Sequence, residues 1–363
     1  MRRPWLLIAA VLALSPFSKG DEPVKKLQVV TPKDDGIVAT GINARGEIVG
    51  FEWAEEKDHP GVLSQVPFLA RGKEMTYLPL LKGYTATFPA ALSDDGLVVG
   101  RASKPAPLGV NIFLRNQAFL WDARNGMRGL GALEGDSASF ACGISRDGRR
   151  ISGFSVGENR VRACFWDRSG GGNGDGDRDR WKGTPLPQAD RLGSNVVPIS
   201  RNGKCLAAVD GVIPCLWSQE PSGEWTRRVL GEAGALIPRA VNDSGTVVGF
   251  RADGDGLTHA VVWTRAEGCR QLDEPKGFVR SEANAINNDG VVVGLIDGPG
   301  GSKIGPNAFV YEKGRLRVID EGGPAFTNAT AINDQGQVAG VLEKDEDEAP
   351  KKPDPDKPGR ESP

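Results

Sequence analysis

The chain has 363 residues, of which 49 are glycine and 25 proline; 39% are hydrophobic and 25% charged. With 45 basic against 47 acidic residues the formal net charge is −2, so the basic excess that a nucleic-acid binder needs to displace counterions is missing. There is no Gly-X-Y period and no sustained heptad, and the apolar content is that of a globular chain, which excludes collagen, coiled coil and full disorder.

In chain order, Arg2 and Arg3 precede the apolar run Leu6–Leu14, nine residues and too short to cross a bilayer as a helix. Ser18 and Gly20 stand three residues and one residue before Asp21, the pattern of a secretory signal peptide cleaved near Gly20. Residues 1–20 are therefore expected as a leader and the mature chain as secreted or periplasmic, with no further run long enough for a membrane span.

From here a repeat organises the sequence. One phrase, a small residue and an aliphatic followed by Asn or Ser, two polar residues, Gly and an aliphatic pair, returns seven times. It reads GINARGEIVG at 41–50, ALSDDGLVVG at 91–100, GISRDGRRISG at 143–153, PISRNGKCLAA at 198–208, AVNDSGTVVG at 240–249, AINNDGVVVG at 285–294 and AINDQGQVAG at 331–340. Asn or Ser can bond the turn backbone and Gly supplies positive φ, so each phrase predicts a tight hairpin between an inner and a second strand. Between hairpins lies an aromatic phrase, a third strand: PFLAR at 67–71, QAFLWD at 117–122, RACFWD at 162–167, IPCLWS at 213–218, HAVVWT at 259–264 and NAFVYE at 307–312. A weaker apolar patch, the outer strand, follows each of these, and a copy of it, Leu27–Val30, opens the mature chain.

Four short strands per repeat of this length predict an all-β propeller spanning 21–342. The count favours seven four-stranded blades, the closing one shared between strands near 327–342 and the N-terminal Leu27–Val30; a six-bladed propeller or a β-solenoid is the alternative. Trp121, Trp166, Trp217 and Trp263 recur at one point of the third strand and are expected to pack between blades. In such a fold the turns after the inner and third strands share one face of the disc, and the connections after the second and outer strands share the other.

Phrases such as QAFLWDARNGMRGLGALEGDSASFACGISRDG resemble the HAF repeats of bacterial extracellular proteins, over about 27–342. The His that opens that family's phrase is present only as His259; Pro67, Gln117, Arg162, Ile213 and Asn307 replace it elsewhere. The resemblance implies an exported repeat protein and carries no catalytic residues with it.

The residues that bear chemistry are few. There are two histidines, His59 and His259, the latter at a structural repeat position, and no zinc spacing, nucleophile elbow, P-loop or dinucleotide fingerprint. The five cysteines, Cys142, Cys164, Cys205, Cys215 and Cys269, lack the dense even spacing of a disulfide framework and are read as small packed residues. The loop SGGGNGDGDRDR at 169–180 alternates Asn173, Asp175, Asp177 and Asp179, the oxygens a calcium site would use, though Arg178 and Arg180 oppose a cation. Long connections after the second strand, at 51–66 and 101–116, carry Trp53, His59, Arg101, Phe113 and Arg115, and this loop face is the expected ligand surface.

The reading is a monomeric, non-enzymatic binding or scaffold module for an extracellular protein or glycan. It needs no cofactor, calcium being the one ion the sequence offers a place for, and it does not bind nucleic acid. The alternative is an extracellular hydrolase or lyase acting on a glycan through carboxylates in the channel. Residues 343–363, EKDEDEAPKKPDPDKPGRESP, are expected as a disordered charged tail.

Overall fold

The structure is a computed structural model. It describes residues 10–11, 28–29, 37–56, 59–105, 112–169, 180–189, 191, 193, 196–299, 306–319 and 325–343. Apart from one single-turn 3-10 helix, Ile112–Arg115, the regular structure of these residues is all strand.

The strands form six sheets. Ala86–Leu92, Val98–Ser103, Asn116–Asp122 and Gly126–Gly129 make the second, and Ala138–Ile144, Arg150–Val156, Val161–Ser169 and Arg180–Pro185 the third. The fourth has three strands, Cys205–Asp210, Ile213–Gln219 and Trp225–Val229. The fifth is Ile237–Val241, Val247–Ala252, Thr258–Thr264 and Gly268–Gln271; the sixth is Arg280–Ile286, Val292–Asp297, Asn307–Glu312 and Arg315–Val318. Within each, neighbours along the chain pair antiparallel, the up-and-down blade of a propeller.

The first sheet corrects the expected blade number from seven to six. It is eight-stranded: Ile37–Ile42, Ile48–Glu56, His59–Arg71 and Glu74–Tyr77 continue into Gln337–Glu343, beside which lie Ala325–Ile332 and Gln28–Val29, the latter paired on its far side with Ala10–Val11. One residue pair, Val38 with Val341, joins the halves. The first and last hairpin phrases are thereby carried by a single sheet, which folds so that Ala331 and Ala339 pack against Ile37, Ile48 and Phe68. Gln28–Val29 pairs parallel with Gln337–Val338. An outer strand runs antiparallel to a third strand, so seated directly on a second strand it must run parallel.

The segment 51–66 also departs from expectation. It is a long hairpin in continuous register, Phe51 opposite Pro67 through Glu55 opposite Leu63, rather than a loop.

The hairpin phrases fold as read. Gly46, Gly96, Gly148, Gly203, Gly245, Gly290 and Gly336 have φ between +65° and +85°. The glycine that ends the phrase has a different cause. In five sheets the inner strand carries a bulge, between Ala39 and Gly41, Pro89 and Ala91, Ala141 and Gly143, Pro238 and Ala240, and Ala283 and Ala285; Ala325–Ile332 repeats it between Ala329 and Ala331. The bulge brings a carbonyl of the inner strand onto the second strand. A Cβ at Gly50, Gly100, Gly153, Gly249, Gly294 or Gly340 would lie 1.9–2.1 Å from that oxygen. The fourth repeat has Ala208 here, and its inner strand is reduced to a single bridge between Ile199 and Leu206. A methyl group at this position and a full bulged inner strand exclude one another.

The core lies between the faces of successive strand sets. Trp121, Trp166, Trp217 and Trp263 are all buried in such layers, as their recurrence predicts. All five cysteines are free thiols; Cys164, Cys205 and Cys215 are buried, Cys142 is half-buried and Cys269 is exposed, so only Cys269 departs from the packed-residue reading. No helix among the described residues is long and apolar enough to cross a membrane.

Candidate functional site

The hairpin turns form one face of the disc and close a ring around its axis. Asn43 Oδ1 accepts from the Arg45 and Glu47 backbone N–H groups, holding its own turn. Its Nδ2 donates to Ser93 O of the next turn at 3.0 Å. Asn242 reaches Asn287 O and Asn287 reaches Asn333 O in the same way, both at 3.2 Å, and Asn333 returns to Asn43 O at 2.9 Å. Ser93 and Ser145 are too short for this reach, and backbone donors replace it: Asp94 N to Arg146 O at 2.9 Å and Arg146 N to Arg201 O at 2.7 Å. The Asn202 N–H bonds Asp243 Oδ1 at 2.7 Å and completes the circle. Within a turn Asn and Ser do the same work, and the choice of Asn at positions 43, 242, 287 and 333 marks the turns whose side chain also reaches the next.

At the centre of this ring Arg201 bridges two carboxylates from distant repeats, Asp94 at 3.0 Å through Nη2 and Asp334 at 3.4 Å through Nε. One guanidinium thus engages both acids at the mouth of the axis, where an acid-base pair for glycan cleavage would have to stand apart across a substrate.

The opposite, loop face carries the predicted residues. Arg101, on the second strand of the second sheet, lies over Phe88 at 4.0 Å and 6.0 Å from Phe140, and its Nη1 donates to Asn116 Oδ1 at 3.2 Å. Burial lowers its pKa from the usual arginine value. The neighbouring Cys142 thiol is pushed up to about 12 by burial, against the smaller opposing pull of a Val197 backbone hydrogen bond and the Arg101 charge. Phe113 packs 6.1 Å from the same Phe140, and Arg115 Nε donates to Pro105 O at 3.2 Å. Arg101 and Phe113 therefore meet on Phe140, while Arg115 is tied to the connection at Pro105. Trp53 lies on the long hairpin of the first sheet, in an edge-on contact with Phe51 at 5.9 Å. His59 stands opposite Glu56 at the end of that hairpin.

The large hydrophobic side chains that are exposed among the described residues are Trp53, Leu80, Phe113, Val212, Val229 and Leu257. Each sits in a connection after a second or outer strand or at the adjoining strand end. All six therefore fall on the loop face and none on the turn face.

His259 is held on the same face. Its Nδ1 is 2.9 Å from Glu274 Oε1 and its Nε2 3.1 Å from Asp253 Oδ2. Burial works against the imidazolium, but the hydrogen bonds and charges of Glu274 and Asp253 outweigh it and hold the pKa above the usual histidine value. The first residue of the third-strand phrase repeats this tie to an inter-sheet connection: Gln117 accepts from Tyr84 at 2.6 Å and Arg162 pairs with Asp136 at 2.7 Å.

Asn173, Asp175, Asp177 and Asp179 lie outside the described residues, as do the residues after Glu343. Among the described residues no group of three or more His, Cys, Asp or Glu side chains is placed to hold a metal ion.

No protein-family model matches the chain, and no curated protein matches it in sequence. Among solved structures it is similar to the β-propeller domain of the Trilobed protease from Pyrococcus furiosus, at 10% identity over 78% of this chain and 83% of that chain, TM-score 0.48. It is similar to Pyrococcus horikoshii acylaminoacyl peptidase at 8% identity over 82% of this chain, TM-score 0.48, and spans 48% of that longer chain. For TolB from Acinetobacter baumannii the values are 12% identity, 75% of this chain, 68% of that chain and a TM-score of 0.40.

Proposed function

We propose that this protein is an exported, HAF-repeat-like propeller that works as a binding or scaffold module and captures a macromolecular partner on its loop face. The observation that carries the reading is that, among the described residues, the six exposed large hydrophobics, Trp53 and Phe113 among them, all fall on that face. Aromatic anchors set in a rigid scaffold are where binding energy concentrates, and Trp53 and Phe113 are such anchors on this face. Binding is favoured over glycan hydrolysis because Arg201 occupies the space between Asp94 and Asp334.

The test is cross-linked capture from periplasm and culture medium with three purified proteins: wild type, Trp53→Ala/Phe113→Ala, and Lys73→Gln, in the exposed turn between His59–Arg71 and Glu74–Tyr77 on the turn face. A species held by wild type and by Lys73→Gln but released by the double variant supports the reading. Equal capture by all three, or by none, refutes it. Export is tested separately by N-terminal sequencing of the mature protein, which should begin at Asp21.

A further inference from the structure

Between the fourth and fifth sheets the turn face opens into a cavity of about 410 Å³, within the size range of small-ligand sites. Its floor is apolar, Leu216 and Trp263 with Cys205 beside them, and its rim is polar. Arg228 stands opposite Leu216 in the strand register and so projects from the fourth sheet on the cavity side, and Arg265 comes from the fifth. Both are exposed, and among the described residues neither guanidinium has an ion-pair or hydrogen-bond partner. Arg227, by contrast, is already spent on Asp210 at 2.7 Å.

The same rim carries acceptors. Glu220 takes one hydrogen bond, from Thr226 at 3.0 Å on Oε1. Asp243 takes one on each oxygen, from Asn202 N and Asn288 Nδ2. A carboxylate has about four lone-pair sites, so both keep capacity to accept, and the Ser218 and Ser244 hydroxyls line the wall beside them. A ligand matched to this set has one carboxylate for the two unpaired arginines and several hydroxyls to donate to Glu220 and Asp243. A poly-carboxylate peptide meets the arginines but is repelled by those two acids and brings no hydroxyls.

We infer that this cavity is a binding site for an acidic saccharide, a sugar unit bearing a uronic-acid carboxylate. The bidentate geometry of arginine suits that carboxylate, and the hydroxyls of the ring meet the acidic rim. The site lies on the face opposite the proposed partner surface, so each stands or falls without the other.

The experiment is calorimetric titration of the full chain with digalacturonate and with a glucuronate-containing disaccharide. A neutral disaccharide and a tri-glutamate peptide serve as comparators, and Arg228→Gln/Arg265→Gln as the variant. The expected result is binding of at least one uronate, at least tenfold tighter than the neutral sugar. The double variant should weaken it at least tenfold while its ligand-free melting temperature stays that of wild type, since both side chains are exposed. Absence of uronate binding, binding undiminished in the double variant, or tri-glutamate binding as tightly as the uronates would each overturn the assignment.

Discussion

Replacing Gly249 by alanine tests the physical origin of the repeat. The added Cβ would lie 1.9 Å from Ile237 O and 2.9 Å from its carbonyl carbon, where real Cβ contacts stay beyond 3.0 Å. The second strand must therefore move by at least about 1.1 Å against a backbone group that has no rotamer to yield. Overpacking of this kind costs about 1–3 kcal/mol, and each backbone hydrogen bond weakened around the bulge adds about 0.5–1.5 kcal/mol. The lower chain entropy of alanine in the unfolded state returns about 0.4–1 kcal/mol. With two such bonds weakened the net loss is about 3 kcal/mol, which at an unfolding entropy of about 2.1 cal/mol/K per residue lowers the melting temperature of a chain of this size by about 4 °C. The assay is thermal and urea unfolding followed by circular dichroism. Ala208→Gly in the fourth repeat, where the bulged strand is missing, is the control and should cost only about 1–2 kcal/mol, the backbone entropy of glycine plus one buried methyl. If Gly249→Ala melted within about 1 °C of wild type, the account of the strand-ending glycine would be wrong.

Three further outcomes follow from the same geometry. Asn333→Ala removes both the donor that reaches Asn43 O across the ring and the Oδ1 that accepts from the Gln335 and Gln337 N–H groups, and should lower the unfolding free energy measured in urea by about 1–3 kcal/mol, the cost of leaving buried donors unsatisfied; Asn333→Ser, the residue three other turns use, keeps an acceptor within the turn and should lose only the reach across the ring, about 0.5–1.5 kcal/mol. The raised pKa of His259 means that the folded state binds its proton more tightly than the unfolded chain, so its contribution is fully present below about pH 6.5 and fades as pH rises through the folded value. The melting-temperature gap between wild type and His259→Gln should accordingly be widest near pH 6 and shrink toward pH 9, and a gap independent of pH would refute the charged pair. For the thiols, iodoacetamide at pH 8 should label exposed Cys269 first in the native protein, whereas Cys142, pushed up to about 12, should resist until urea is added; mass spectrometry of the labelled peptides reads both.

Much of the fold was legible because its signals are local. A turn of Asn or Ser, two polar residues and Gly needs only its own residues to form, so Gly46 to Gly336 could be placed as hairpin turns and the strands between them counted. The tryptophans of the third strand could be buried in advance, since an aromatic that recurs once per repeat has an inter-sheet layer to fill. The site was less legible. Trp53, Arg101, Phe113 and Arg115 could be assigned to one face from strand order, but that Arg101 and Phe113 share Phe140, whereas Trp53 stands on another hairpin, depends on side chains brought together from separate sheets.

The sequence by itself determined the repeat, its turns, the order of strands within a blade and which face each connection occupies, because these follow from hydrogen bonds and φ angles within a few residues. Tertiary structure alone decided how the ends meet. The count of seven phrases became six sheets because Gln337–Glu343 pairs with Ile37–Ile42 through Val38 and Val341, a contact between residues almost a whole chain apart that no local pattern encodes. The turn ring, the Arg201 bridge and the cavity between Arg228 and Arg265 were settled the same way. Each exists only where the closed circle sets side chains of different repeats within a few ångströms of one another.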